Sequence, residues 1–145
     1  MTGFGAVSDR RGESGLLPRA FAVFMALHGI VHVVGFTRTW KLGWPKAAEY
    51  PTSLFNGSID VGDPGIRLVG LIWLATTIAF LAVAVLLWRR HPRALQLTIA
   101  LLVVSLGLCI ASLPGSIYGL VIDVATLAAL AVMPEKFLAR PARAG

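Results

Sequence analysis

The stretch ALHGIVHVVGF, residues 26–36, sets His28 and His32 four residues apart inside an otherwise apolar run. That spacing puts both imidazoles on one helical face, and Met25 and Gly35 continue the stripe. One carboxylate, Asp123, lies well inside another apolar run, IYGLVIDVATLAALAVM. A charge at the centre of a membrane helix costs ~2.5–3.5 kcal/mol even on insertion scales, so this carboxylate is expected to be neutralised or paired. A histidine at matching depth is the expected partner.

An Asp–His set in an apolar setting is equipment for moving protons, because desolvation and a nearby imidazolium act on a carboxyl in opposite directions. Asp123 is the expected acid, and His28 or His32 orients it or receives the proton. Trp73, Phe36, Tyr118 and Trp40 offer aromatic faces that stabilise developing positive charge, and Arg67 stands at the mouth. Such a site suits isomerisation, epoxide opening or proton-initiated cyclisation of a lipophilic small molecule, with no cofactor. A zinc site is the minor alternative, since HxxxH plus a carboxylate supplies three ligands and an open position. It lacks the second acidic residue of HExxH. Haem fits less well, because two histidines on one face cannot bracket a macrocycle and His91 lies in a connection. The competing reading is non-enzymatic: an accessory or small-molecule-binding membrane subunit whose polar core sets packing.

These residues need a membrane scaffold to hold them. The chain has 145 residues, 57% of them hydrophobic and 14% charged, with a mean hydropathy of +0.78. That composition is far more apolar than a soluble domain's. The 13 basic residues lie mostly between apolar runs, the pattern that writes membrane topology, and no basic-aromatic patch suggests nucleic acid. Cys109 is the one cysteine, which excludes an internal disulfide or a CxxC redox pair.

Four apolar segments, at about 17–36, 66–88, 94–113 and 117–133, each approach the ~17–25 residues of a bilayer crossing. They predict an all-α, four-helix transmembrane domain over residues 16–134, with tails at 1–15 and 135–145. The first segment reads as a retained helix, not a cleaved signal peptide, with Pro18 at its start. Pro114-Gly115 makes the third connection very short, so the last two helices are antiparallel neighbours. Nine basic residues (Arg10, Arg11, Arg19, Arg89, Arg90, Arg93, Lys136, Arg140 and Arg143) share one side of a four-span chain. Arg38, Lys41, Lys46 and Arg67 take the other. This asymmetry predicts a multi-pass protein of the cell membrane with both termini cytoplasmic. Residues 37–65 then form an extracytoplasmic cap, in which Trp40, Trp44 and Tyr50 suit an interfacial belt, and Asp60 and Asp63 serve turns.

Depth converges on one level. At 1.5 Å per residue, His32 lies about 6 Å and His28 about 12 Å from the end of the first segment, and Asp123 about 9 Å from the start of the fourth. Each remaining segment also carries one polar or small stripe: Gly70, Trp73, Thr77 and Phe80; Thr98, Ser105, Cys109 and Ser112; Ser116, Gly119, Asp123 and Thr126. Such stripes turn inward in lipid and are ordinary devices of helix packing. Expected partners are a lipophilic small molecule, membrane lipid, and a protein partner or second copy, with no nucleic acid.

HGIVHVVGF, PTSLFNGSIDVGDPGIRLVGLIWL and LPGSIYG together resemble small four-span membrane proteins of actinobacteria, over residues 20–133. This resemblance implies the four-span fold and brings no catalytic assignments. In size and membrane character the chain is also similar to small integral-membrane terpene cyclases. That similarity implies proton-initiated cyclisation and transfers no residue.

Overall fold

The computed structural model describes residues 9–42 and 52–132. In chain order they form α1 (Asp9–Val31), α2 (Val33–Thr39), β1 (Ser53–Leu54), β2 (Ile59–Asp60), α3 (Gly62–Trp88), α4 (Ala94–Ala111) and α5 (Ile117–Val132). The chain is mostly helical, as its apolar periodicity predicts. Leu16–Thr39, Gly62–Trp88 and Ala94–Ala111 are long and apolar enough to cross a membrane. The 16 residues of α5 are equally apolar but shorter.

The boundaries differ from expectation at three places. Residues 9–15, read as a mobile tail, are the first turns of α1, and Pro18 lies inside that helix rather than at its start. A proline there removes one ladder bond without ending the helix, since the turns before it can still form. The second segment begins at Gly62, four residues early, because Pro64 sits in a first turn where its missing N–H has no partner to lose. The first segment is broken at His32. The His32 N–H reaches back to Gly29 O (3.1 Å), and the Gly35 N–H to His32 O (3.0 Å), which are i→i−3 bonds. His32 Nδ1 donates instead to His28 O at 2.9 Å. A side chain has taken the carbonyl that a continuous ladder would use, which is a recognised cause of helix interruption.

α1 and α2 pack on α3, α3 on α4, and α4 on α5. Phe21, Met25, Phe80, Leu87, Leu102 and Leu130 belong to one buried cluster that joins all four long helices. Glycines allow the closest approach. A Cβ on Gly29 would collide with Phe80, one on Gly70 with Thr39 and Trp40, and one on Gly35 would lie 2.5 Å from the Trp73 ring. Leu68, Ile78, Val85, Val103, Val104 and Val121 face outward, leaving the aliphatic exterior that lipid requires.

One end of the bundle carries the antiparallel hairpin β1–β2, which pairs Ser53 with Asp60 and Leu54 with Ile59. Its turn uses positive φ at Phe55, Asn56 and Gly57, and Phe55 N–H donates to Ala111 O at the end of α4 (2.8 Å). Of the expected interfacial aromatics, Trp44 and Tyr50 lie outside the described residues. At the opposite end, the Arg19 guanidinium lies 5.6 Å from the centre of the Trp88 ring, so bases of the first segment and of the α3–α4 connection share that end.

Asp60 and Asp63 take the turn roles expected of them. Gly62 N–H donates to Asp60 Oδ1 at 3.0 Å, Asp63 lies in the first turn of α3, and the cis Leu113–Pro114 peptide sits in the α4–α5 connection. The Gly62 bond, and then one from the Thr52 hydroxyl, hold the Asp60 carboxyl below its ordinary value. A folded-state value below the unfolded one stabilises fully above the carboxylate range and is lost as pH falls through the folded value. Protection of the Gly62 amide from exchange, relative to its intrinsic rate, is therefore expected to persist from neutral pH through the ordinary carboxylate range and to fail only at more acidic pH. Equal protection at pH 7 and pH 2 would show that the carboxylate does not hold this turn.

Candidate functional site

His28 and His32 come from the end of α1 and the α1–α2 junction, Ser105 from α4, and Asp123 from α5. All four are buried, Asp123 completely. His28 Nε2 lies 2.8 Å from Asp123 Oδ1. Ser105 Oγ lies 2.7 Å from Asp123 Oδ2 and 2.7 Å from His32 Nε2. Cys109 Sγ is a weaker third neighbour, 3.8 Å from Oδ2. The result is one chain, His28–Asp123–Ser105–His32, that ties α1 to α4 and α5.

Aromatic rings enclose it. Phe80 stands edge-on to His28, with ring centres 5.0 Å apart, and tilted against His32 at 5.0 Å. Trp73 lies 5.1 Å from His32, and Phe24 stacks on His28 at 6.1 Å. Phe80 is two turns beyond Trp73, yet both reach the site. Helical side chains lean toward the helix N-terminus: Phe80 leans toward the hairpin end, and the imidazoles on the antiparallel α1 lean away from it to meet it.

Counting hydrogens defines what the chain can do. A carbonyl only accepts, so His32 Nδ1 carries a hydrogen for His28 O. The two contacts at Ser105 Oγ need two hydrogens, and the serine supplies one. With His28 Nε2 donating to Oδ1, two arrangements without net charge fill both contacts. Either an imidazolium His32 donates to Ser105 and Ser105 donates to an ionised Asp123, or a protonated Asp123 donates to Ser105 and Ser105 donates to neutral His32. They interconvert when one hydrogen shifts along each link, so the geometry can move a proton between Asp123 and His32 without moving a heavy atom far.

The site confirms neither a converging aromatic pocket nor a metal cradle. Trp73 joins the imidazoles, as expected. Phe36 is half-buried and stacks toward Trp40, with ring centres 5.5 Å apart. Trp40 and Arg67 lie together near the hairpin end, where the Trp40 Nε1–H donates to Arg67 O at 3.1 Å. The Tyr118 side chain is 83% exposed and points away from the bundle. These residues are separated by helix rotation, which depth along a span does not report. Of the donor atoms of the zinc alternative, His28 Nε2, both His32 nitrogens and both Asp123 oxygens face one another, Ser105 or backbone, and among the described residues no set of three His, Cys, Asp or Glu is placed to hold a metal ion.

Ser105, read as a packing residue, is the member of this hydrogen-bonded chain that the stripes alone did not single out. Depth arithmetic would have found it: it lies about 9 Å from the end of α4 at Ala111, level with Asp123. Ser105→Ala deprives both Asp123 Oδ2 and His32 Nε2 of a partner, at about 1–3 kcal/mol for each buried group. Thermal unfolding in detergent is expected to show a marked loss for Ser105→Ala and a smaller one for Ser105→Thr, which keeps the hydroxyl. Equal midpoints for wild type and Ser105→Ala would mean that the two bonds hold nothing together.

No family model, curated protein or solved structure matches the chain.

Proposed function

We propose that this is a four-span subunit of the cell membrane, with both termini cytoplasmic, that binds a lipophilic or amphiphilic molecule and uses its polar core as a lock between helices. The distribution of nine basic residues against four supports the orientation. As the fourth span, α5 rises about 24 Å against a hydrocarbon core of ~30 Å, a mismatch met by local thinning of the bilayer. Residues 37–42, the hairpin and the first turn of α3 are then the described parts of the extracytoplasmic cap.

The observation that carries the reading is saturation. Asp123 is fully buried, both its oxygens are engaged, and among the described residues no buried side-chain nitrogen or oxygen lacks a partner. A catalytic acid needs a face turned to its substrate, whereas a lock needs every polar atom satisfied.

A second reading, intramembrane acid–base catalysis such as isomerisation or cyclisation, draws on the proton that Ser105 can pass between Asp123 and His32. It requires α1 to part from α5 so that a lipophilic substrate reaches the carboxyl. Native mass spectrometry of wild type and Asp123→Asn, purified gently from their own membranes, separates the two. The lock reading expects the same bound molecules on both proteins and a lower melting midpoint for Asp123→Asn. A precursor or isomer that accumulates only on Asp123→Asn would establish catalysis in its place.

A further inference from the structure

Near the hairpin end, Trp40, Asp63, Pro64, Arg67, Leu68 and Leu71 line an open groove of about 560 Å³. Its polarity is graded along α3. Asp63 lies in the first turn, Arg67 one turn on, and Leu68 and Leu71 continue toward the middle of the helix, 60% and 45% exposed. The Trp40 indole forms a wall and is oriented by its bond to Arg67 O. Asp63 and Arg67 stand at the helix spacing that favours an ion pair, yet neither has an ion-pair partner among the described residues. The Arg67 guanidinium lies over the Trp40 ring instead, 5.9 Å from its centre. The groove therefore offers a cation and an anion about 6 Å apart along the helix, above an apolar floor.

We propose that this groove binds a zwitterionic phospholipid whose headgroup carries a primary amine. Arg67 takes the phosphate, Asp63 the ammonium, and Leu68 and Leu71 the first part of an acyl chain. Charge complementarity selects this occupant. One turn of helix matches the reach from a phosphate to an amine across a two-carbon linker, and an anionic lipid would place its uncompensated charge beside Asp63. Trp40 belongs at this level, since indoles favour the headgroup region. The site rests on the membrane-binding reading above and gives it a ligand class.

The test uses the full chain in mild detergent, titrated with phosphatidylethanolamine or phosphatidylglycerol of identical acyl chains and followed by native mass spectrometry. Wild type is expected to prefer phosphatidylethanolamine. Arg67→Gln is expected to weaken both lipids about fivefold, the weight of one interfacial basic residue against anionic headgroups. Asp63→Asn is expected to erase the preference while phosphatidylglycerol still binds. Unchanged melting midpoints show that both variants are folded; if either is not, Arg67→Lys replaces the first and Asp63→Glu the second, each expected to keep the preference. Equal binding of the two lipids by wild type, or a preference that survives Asp63→Asn, overturns the proposal. Alkaline carbonate extraction of the same membranes tests the underlying reading separately. Release of the chain would end both, whereas a retained chain without lipid preference ends only the assignment of the groove.

Discussion

Asp123→Ala is expected to destabilise the protein more than any other single polar substitution among the described residues. The change strands His28 Nε2 and takes one of the two partners of the Ser105 hydroxyl, so one truncation loosens the ties between α1, α4 and α5. Leaving a buried polar group without its partner costs about 1–3 kcal/mol, and more where the group is charged. Hydrogen bonds between membrane helices average only ~0.6 kcal/mol, because helices in the unfolded membrane state also find partners. The bilayer value describes single bonds, and here one carboxylate, itself 0% exposed, serves two short bonds, so the upper range is the relevant one. Thermal unfolding in detergent reads the loss. The decisive companion is His28→Leu/His32→Leu/Ser105→Ala/Asp123→Leu, which removes the four polar side chains together. If the chain is a lock, this variant regains most of the lost stability, since replacing all the partners of a buried polar contact by apolar groups of similar shape can be nearly neutral or better. A quadruple variant as unstable as Asp123→Ala would refute a lock made of replaceable polar contacts.

The second large effect reverses a familiar sign. Alanine in place of a helical glycine ordinarily stabilises by about 0.5–1 kcal/mol. Gly107→Ala is expected to follow that rule, because a Cβ there meets nothing within 4 Å. Gly29→Ala is expected to break it. The new Cβ would collide with Phe80, the ring packed against both imidazoles, and overpacking of this kind costs about 1–3 kcal/mol. α1 must then move off α3, which also stretches the His28–Asp123 bond. The two substitutions are chemically identical, so melting midpoints that shift in opposite directions isolate packing from propensity. A stabilising Gly29→Ala would show that α1 and α3 do not approach closely at this point.

Local chemistry determined much of this protein. Hydropathy summed over each apolar run located the helices, because a run of Leu, Val and Ile reports its own burial. The four-residue spacing of His28 and His32 put them on one face, and rise per residue placed Asp123 at their level, because both follow from the geometry of one helix. Inward stripes followed in the same way: Met25, His28 and His32, then Gly70, Trp73, Thr77 and Phe80, and Thr98, Ser105 and Cys109 all turn toward neighbouring helices.

Tertiary structure alone decided which of these residues meet. Tyr118 and Asp123 share a helix, yet one faces outward and the other is sealed, since helix rotation is set by packing against neighbours. Phe80 joins His28 from two turns beyond Trp73, because antiparallel side chains lean toward each other. The break at His32 arises when an imidazole captures the carbonyl its own backbone would have used, a competition settled by what lies opposite the ring. Ser105 became the link between Asp123 and His32 for the same reason: a hydroxyl on a small-residue stripe acquires a role only from the partners that α5 and the α1–α2 junction bring within 2.7 Å.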